Sequence, residues 1–118
     1  MAQDFFAHDA RFQSILGPQP TLELLFENKE YPFAHEAGVY FDSTNELFIT
    51  SNRFCNVGSQ EPRVQITKVV LDKSSAPGTT TCVEIDSSSV PMGNGGANHC
   101  EDIMLFCAQG SHELPNGL

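Results

Sequence analysis

The chain is poor in positive charge: six Lys and Arg stand against fifteen Asp and Glu, giving a formal net charge of −9 over 118 residues. The basic residues are scattered, so there is no cationic patch to neutralise a phosphate backbone or to hold an anionic lipid surface. Nucleic acid and membrane surfaces are therefore not expected partners. A cation, or a neutral substrate held beside one, suits this balance better, although an acidic surface by itself mainly confers solubility. Long apolar runs are missing too, and nothing approaches the roughly 20 residues of a membrane-spanning helix. Near the N-terminus Asp4, His8, Asp9 and Arg11 interrupt every hydrophobic stretch, and no basic lead precedes them. A secretory signal is not supported there, and a cytoplasmic location is expected.

Paired cysteine motifs are also lacking. Cys55, Cys82, Cys100 and Cys107 make no Cys-x-x-Cys and no zinc-ribbon spacing, which excludes the usual structural zinc sites. Cys82, Cys100 and Cys107 lie in or beside apolar, strand-like segments, where a free thiol commonly acts as a small buried hydrophobe. Without a secretory signal, disulfides are not expected. No Gly-x-Ser-x-Gly is present, so the nucleophile elbow of the α/β-hydrolases has no support. His99 and Cys100 are neighbours, but adjacent strand residues point to opposite faces and cannot form a hydrogen-bonded dyad there.

What remains is an ordinary aliphatic and aromatic content on a length sufficient for one small domain. Gly, Pro and Ser/Asn clusters recur every ten residues or so, with short apolar stretches between them, a rhythm that predicts an all-β fold. Strands are expected over residues 21–27, 38–41, 46–51, 64–71, 81–85, 96–99 and 103–108. Residues 1–20 read as a lead-in segment, with a helical turn at 9–16, and residues 21–118 as a single β domain. The clearest hairpin is GVYFDSTNELFITSN, where Asp42-Ser43-Thr44-Asn45 supplies the turn chemistry for an antiparallel pair over residues 38–52. A similar unit, NGGANHCEDIMLFCAQG, turns at Glu101-Asp102. Laid over each other from Glu36 and from Asn94, the two form a weak internal repeat with a 58-residue period from Gly38 to Gly96. That is long for a propeller blade of about 40–50 residues, but loop insertions accommodate it. Between the units, VQITKVVLD and TTTCVEID flank the polar turn KSSAPGT and read as the outer strands of one blade running from about Gly38 to Ile85.

These two segments carry a family likeness. FAHEAGVYFDSTNELFITSN resembles the first-blade signature of gluconolactonase and lactonohydrolase β-propellers, and NGGANHCEDIMLFCAQG resembles the next inner hairpin. The likeness covers residues 20–118 and is nearest to fungal lactonohydrolase-like proteins. It implies a partial β-propeller: about one and a half to two antiparallel four-stranded blades of a six-bladed whole. It further implies a hydrolase that opens or closes a small-molecule lactone, with a divalent cation, calcium by resemblance, polarising the lactone carbonyl at the bottom of the pocket. Oxygen ligands suit calcium, which takes six to eight of them.

Carried over residue by residue, Glu36 matches the first-blade metal ligand, and Asn94 matches a pocket residue facing metal or substrate. Glu36 could instead be an ordinary solvated carboxylate, and Asn94 beside Gly95 is equally a turn signal. His35 could contact substrate or donate to a carboxylate but is expected to pack or hydrogen-bond locally, and Asn52 could line the tunnel but reads first as a turn former. The remaining ligands and the catalytic base have no counterpart here, and the sequence stops at HELPNGL soon after an inner strand. Three functions follow as expectations: a metal-dependent lactonohydrolase or a shortened relative; a catalytically inactive β-rich remnant or interaction module that self-associates through open sheet edges; and an enzyme of fungal secondary metabolism acting on a lactone or anhydride.

Overall fold

The computed structural model describes residues 5–71, 80–86, 89–101, 103–111 and 115–117. One helix, α1 (Ala10–Leu16), precedes eight strands: β1 (Glu36–Phe41), β2 (Glu46–Thr50), β3 (Phe54–Cys55), β4 (Pro62–Arg63), β5 (Ile66–Val70), β6 (Thr81–Ile85), β7 (Gly93–Cys100) and β8 (Ile103–Ala108). Among the described residues all pairing is antiparallel, and the fold is all-β apart from α1. The helix starts where the Asp9 carboxylate accepts the Arg11 backbone N–H at 2.8 Å, a side-chain N-cap. Its seven residues bury nothing, so it is a local turn and not a packing element.

Four strands form one sheet in the order β1-β2-β5-β6, the short β3–β4 arm projects between β2 and β5, and β7–β8 makes a separate two-stranded sheet. Along β1 the alternation expected of a half-buried strand is complete: Ala37, Val39 and Phe41 turn inward while their neighbours stay exposed. Val39 stands opposite Phe48 on β2, and Phe41 meets the Phe48 ring edge-on with centroids 5.6 Å apart. Ile66 from β5 and Phe106 from β8 complete this core, so the β7–β8 hairpin is the layer that covers the larger sheet.

The approach is close because of Gly96. A Cβ there would lie 2.9 Å from Val39 Cγ2 and 3.1 Å from both Ala37 Cβ and Phe106 Cδ1, so only glycine fits without displacement. Gly95 faces the Glu36 carboxylate, Gly96 meets Ala37 and Val39, and Asn98 reaches the Tyr40 carbonyl. These contacts advance in step, so β1 and β7 lie side by side in the same direction. Elsewhere, Tyr31 stacks on Phe54 with centroids 4.5 Å apart and donates its hydroxyl to Glu84 Oε1 at 2.6 Å, tying the segment before β1 to β3 and β6.

Several expectations need correction. Residues 21–27 form no strand: Pro18 and Pro20 lead into them, no described strand pairs with them, and Leu22 and Leu24 stay more than two-thirds exposed. The expected strand at 64–71 is confined to Ile66–Val70, and the preceding Pro62–Arg63 pairs instead with Phe54–Cys55 in an arm the sequence did not reveal. Strand β7 starts at Gly93, three residues before the expected 96, with register shifts between Gly93 and Gly96 and between Asn98 and Cys100. The cysteines are not core residues: Cys55, Cys100 and Cys107 are exposed and Cys82 is half-buried, all with free thiols. For Cys107, alternation along β8 is the reason, since Phe106 points into the core and so Cys107 points out. The Asp42–Asn45 turn is present, with Asn45 in the left-handed region at φ 54°. Asp102 of the second turn, and the KSSAPGT turn at residues 73–79, lie outside the described residues.

Candidate functional site

Glu36 opens β1. It pairs with Thr50, and a register shift separates that pair from Val39–Phe48. Ala37, just after it, sits at φ 59°, a left-handed conformation that non-glycine residues seldom adopt. This kink ends regular pairing at the carboxylate and leaves Glu36 exposed at the strand tip. One carboxylate oxygen, Oε1, lies 3.6 Å from His35 Nε2, while Oε2 faces Gly95 across the gap to β7. His35 itself is tied to β2, its backbone N–H donating to the Thr50 carbonyl at 2.8 Å.

Asn94, the second residue of β7, is half-buried and lines a cavity of about 380 Å³. His35, Asn52, Arg53 and Gln109 share the cavity wall, with Val64 and Met92 as apolar flooring. The Asn94 Oδ1 atom is buried with no hydrogen-bond partner. A buried amide oxygen without a partner costs about 1–3 kcal/mol, so its position asks for a donor or a cation. The structure thus brings the ends of β1 and β7 together, through Glu36 and Gly95, and sets Asn94 in the adjoining cavity beside His35. Asn52 lines the same wall, its Oδ1 accepting the Arg53 N–H at 2.7 Å; it acts locally on the backbone, as a turn-forming residue does.

Sequence reading missed Arg53 and Gln109. Arg53 follows the polar run Thr50-Ser51-Asn52 at the end of a recognisable hairpin, and Gln109 follows β8, so each reads alone as a polar strand end. Their meeting, Arg53 Nη2 to Gln109 Oε1 at 3.5 Å, spans 56 residues of chain and has no local signal. A second cavity, of about 490 Å³, lies beyond the ends of β4 and β6, lined by Arg63, Gln65, Glu84 and Met92 among others. At its edge the Arg63 guanidinium lies 4.9 Å from the Phe54 ring centroid and 3.9 Å from Glu84 Oε2. Burial, then the hydrogen bond donated to Glu84, pushes the Tyr31 phenol up to about 12.

No group of three or more His, Cys, Asp and Glu side chains that could hold a metal occurs among the described residues. Glu36 at the tip of β1 and Asn94 near the start of β7 carry oxygen donors, but Glu36 is not among the residues that line the Asn94 cavity. They match a hard cation in kind, a carboxylate with an amide carbonyl, and would leave the rest of a six- to eight-oxygen shell to water and ligand. No family model, curated protein or solved structure matches the chain.

Proposed function

We propose that this chain carries the metal-binding corner of a lactonohydrolase-like β-propeller, a hydrolase that opens small-molecule lactones. The four-stranded meander β1-β2-β5-β6 has the connectivity of one propeller blade, and β7–β8 would be the inner hairpin of the next. The observation that carries the reading is the partnerless, buried Asn94 Oδ1 at the start of β7, beside the strand whose tip is Glu36. Glu36 contributes anionic oxygens, Asn94 contributes a neutral one, and His35 flanks the carboxylate. A calcium ion held there would supply Lewis acidity to the lactone carbonyl. No residue is assigned as the catalytic base.

The test is calorimetric titration of calcium into the chelator-treated chain, paired with hydrolysis of a panel of γ- and δ-lactones with and without chelator. Saturable calcium binding that falls at least tenfold in Glu36→Gln, together with chelator-sensitive turnover, is expected. Absence of both defeats the reading.

A second reading, a non-catalytic interaction module, is favoured by one observation: on β8, Ile103 and Leu105 face outward and are 49% and 37% exposed. Sedimentation velocity decides it, because a monomer at all concentrations, with no partner-dependent shift, would remove self-association.

A further inference from the structure

Strand β8 is an edge that its own sequence does not protect. Apart from one bridge to Gly117 it pairs, among the described residues, only with β7, and Ile103–Ala108 contains no charged side chain and no proline. Both register shifts of the hairpin put the extra residue on β7: Gly93 to Gly96 stands against Ala108 to Phe106, and Asn98 to Cys100 against Met104 to Ile103. β8 is therefore the regular strand of the pair. It lacks the charge, proline or bulge by which natural edge strands avoid pairing with another chain. The outer strand of the larger sheet, β6, differs, because it carries the exposed Glu84.

The edge can pair, because one end of it already does. Ala108 donates its N–H to the Gly117 carbonyl at 2.8 Å and accepts the Gly117 N–H at 3.1 Å, an antiparallel bridge on the side away from β7. Main-chain groups alternate between the two edges of a strand, so Ala108 fixes the phase. Met104 and Phe106 also turn their N–H and C=O outward, and no described strand lies beyond them. On the face opposite the core, Ile103, Leu105 and Cys107 are exposed.

We propose that β8 pairs antiparallel with β8 of a second copy of this chain, across a two-fold axis at Leu105. Gly117 occupies the edge at Ala108, which leaves residues 103–107 open, with Leu105 at their midpoint. In that register Met104 of each copy exchanges both main-chain hydrogen bonds with Phe106 of the other. Leu105 meets its own counterpart and Ile103 meets Cys107, an isologous contact that covers the exposed apolar side chains of the strand.

The ends of the pairing are complementary in charge. The same register brings Glu101, exposed in the turn before β8, towards Gln109 of the second copy, and Gln109 Oε1 lies 3.5 Å from Arg53 Nη2. Arg53 belongs to no ion pair among the described residues. Each Glu101 thus approaches the Arg53 of the other copy. The inference rests on the interaction-module reading above, names its partner as a second copy, and is independent of the lactone reading.

Sedimentation velocity of the 118-residue chain is expected to show a concentration-dependent dimer, a weak one because a single strand pair is smaller than a standard interface of about 1,600 Å². Leu105→Lys is expected to raise the dimer Kd by about tenfold or more, since like charges would then stand directly opposite. Glu101→Arg is expected to raise it about threefold, and adding Arg53→Glu to restore it. Register is read by cross-linking in a background of Cys55→Ser, Cys82→Ser, Cys100→Ser and Cys107→Ser. There, Leu105→Cys is expected to form a dimer disulfide under mild oxidation, since Cα atoms of such a non-hydrogen-bonded pair lie about 4.5 Å apart. Val83→Cys on β6 is expected to form none. A monomer at every concentration would overturn both this inference and the interaction-module reading. A dimer that Leu105→Lys leaves intact, or that cross-links through Val83→Cys and not through Leu105→Cys, would overturn the β8 pairing and keep that reading.

Discussion

The Asn98 side chain donates from Nδ2 to the main-chain carbonyl of Tyr40 at 2.8 Å, a hydrogen bond between two sheets that share no ladder. It joins β7 to β1 towards the C-terminal end of their parallel run, beyond the apolar contact between Gly96 and Val39.

Replacing Asn98 by Ala should therefore loosen the union of the sheets without touching the core. A loss of about 1 kcal/mol is expected in urea unfolding, the usual net worth of one such bond. An unchanged midpoint would show that the bond exchanges freely with water.

Gly96→Ala should be far more damaging than its small size suggests. The added methyl meets Val39, Ala37 and Phe106 at 2.9–3.1 Å, and overpacking of this kind costs about 1–3 kcal/mol. Gly95→Ala is the control, since its Cβ would meet only Glu36 Oε2, at 3.9 Å. Equal melting temperatures for the two variants would contradict the close approach of β7 to β1.

Thr50 is 1% exposed, and its hydroxyl has no hydrogen-bond partner. Thr50→Val replaces a buried, unsatisfied oxygen with a methyl of similar volume and should raise stability by about 1 kcal/mol. A clear loss in thermal unfolding would mean that the hydroxyl is satisfied in solution.

The Tyr31 phenol, pushed up to about 12 first by burial and then by its bond to Glu84, makes stability depend on alkaline pH. An unfolded tyrosine ionises near pH 10. Between about 10 and 12 the folded chain thus holds a proton that the unfolded chain has released, so this contribution is complete below pH 10 and is lost as pH rises towards 12. Tyr31→Phe should show a shallower alkaline decline than the parent chain. Identical profiles would count against the Glu84 contact.

The sequence showed what local chemistry determines. Alternation in Val39, Phe41 and Phe48, with Asp42 to Asn45 as the turn, places the first hairpin correctly because that pairing is encoded in adjacent residues. The strand expected at 21–27 failed for the opposite reason: Leu22, Leu24 and Phe26 have strand-forming character, but a strand needs a neighbour, and none reaches them. Cys107 failed by one position of register, since apolar surroundings say nothing about which face a strand residue takes until Phe106 claims the inner one. Of the candidate site, Glu36 and Asn94 could be singled out and their strand ends do come together, but Arg53 and Gln109 could not. Their relationship exists only after β7–β8 docks on β1.

The walls of the Arg53 cavity come from residue 35, residues 51–53, residue 64, residues 92–94 and residue 109, stretches that no short peptide contains together. Bringing them together closes loops of several dozen residues, the kind of non-local assembly that makes β topologies slow to fold. Occupancy of the cavity is thus also a gauge of the finished chain. A molecule bound there engages only the native state, and by mass action each tenfold rise in its concentration above the dissociation constant adds about 1.4 kcal/mol to the stability of the whole fold.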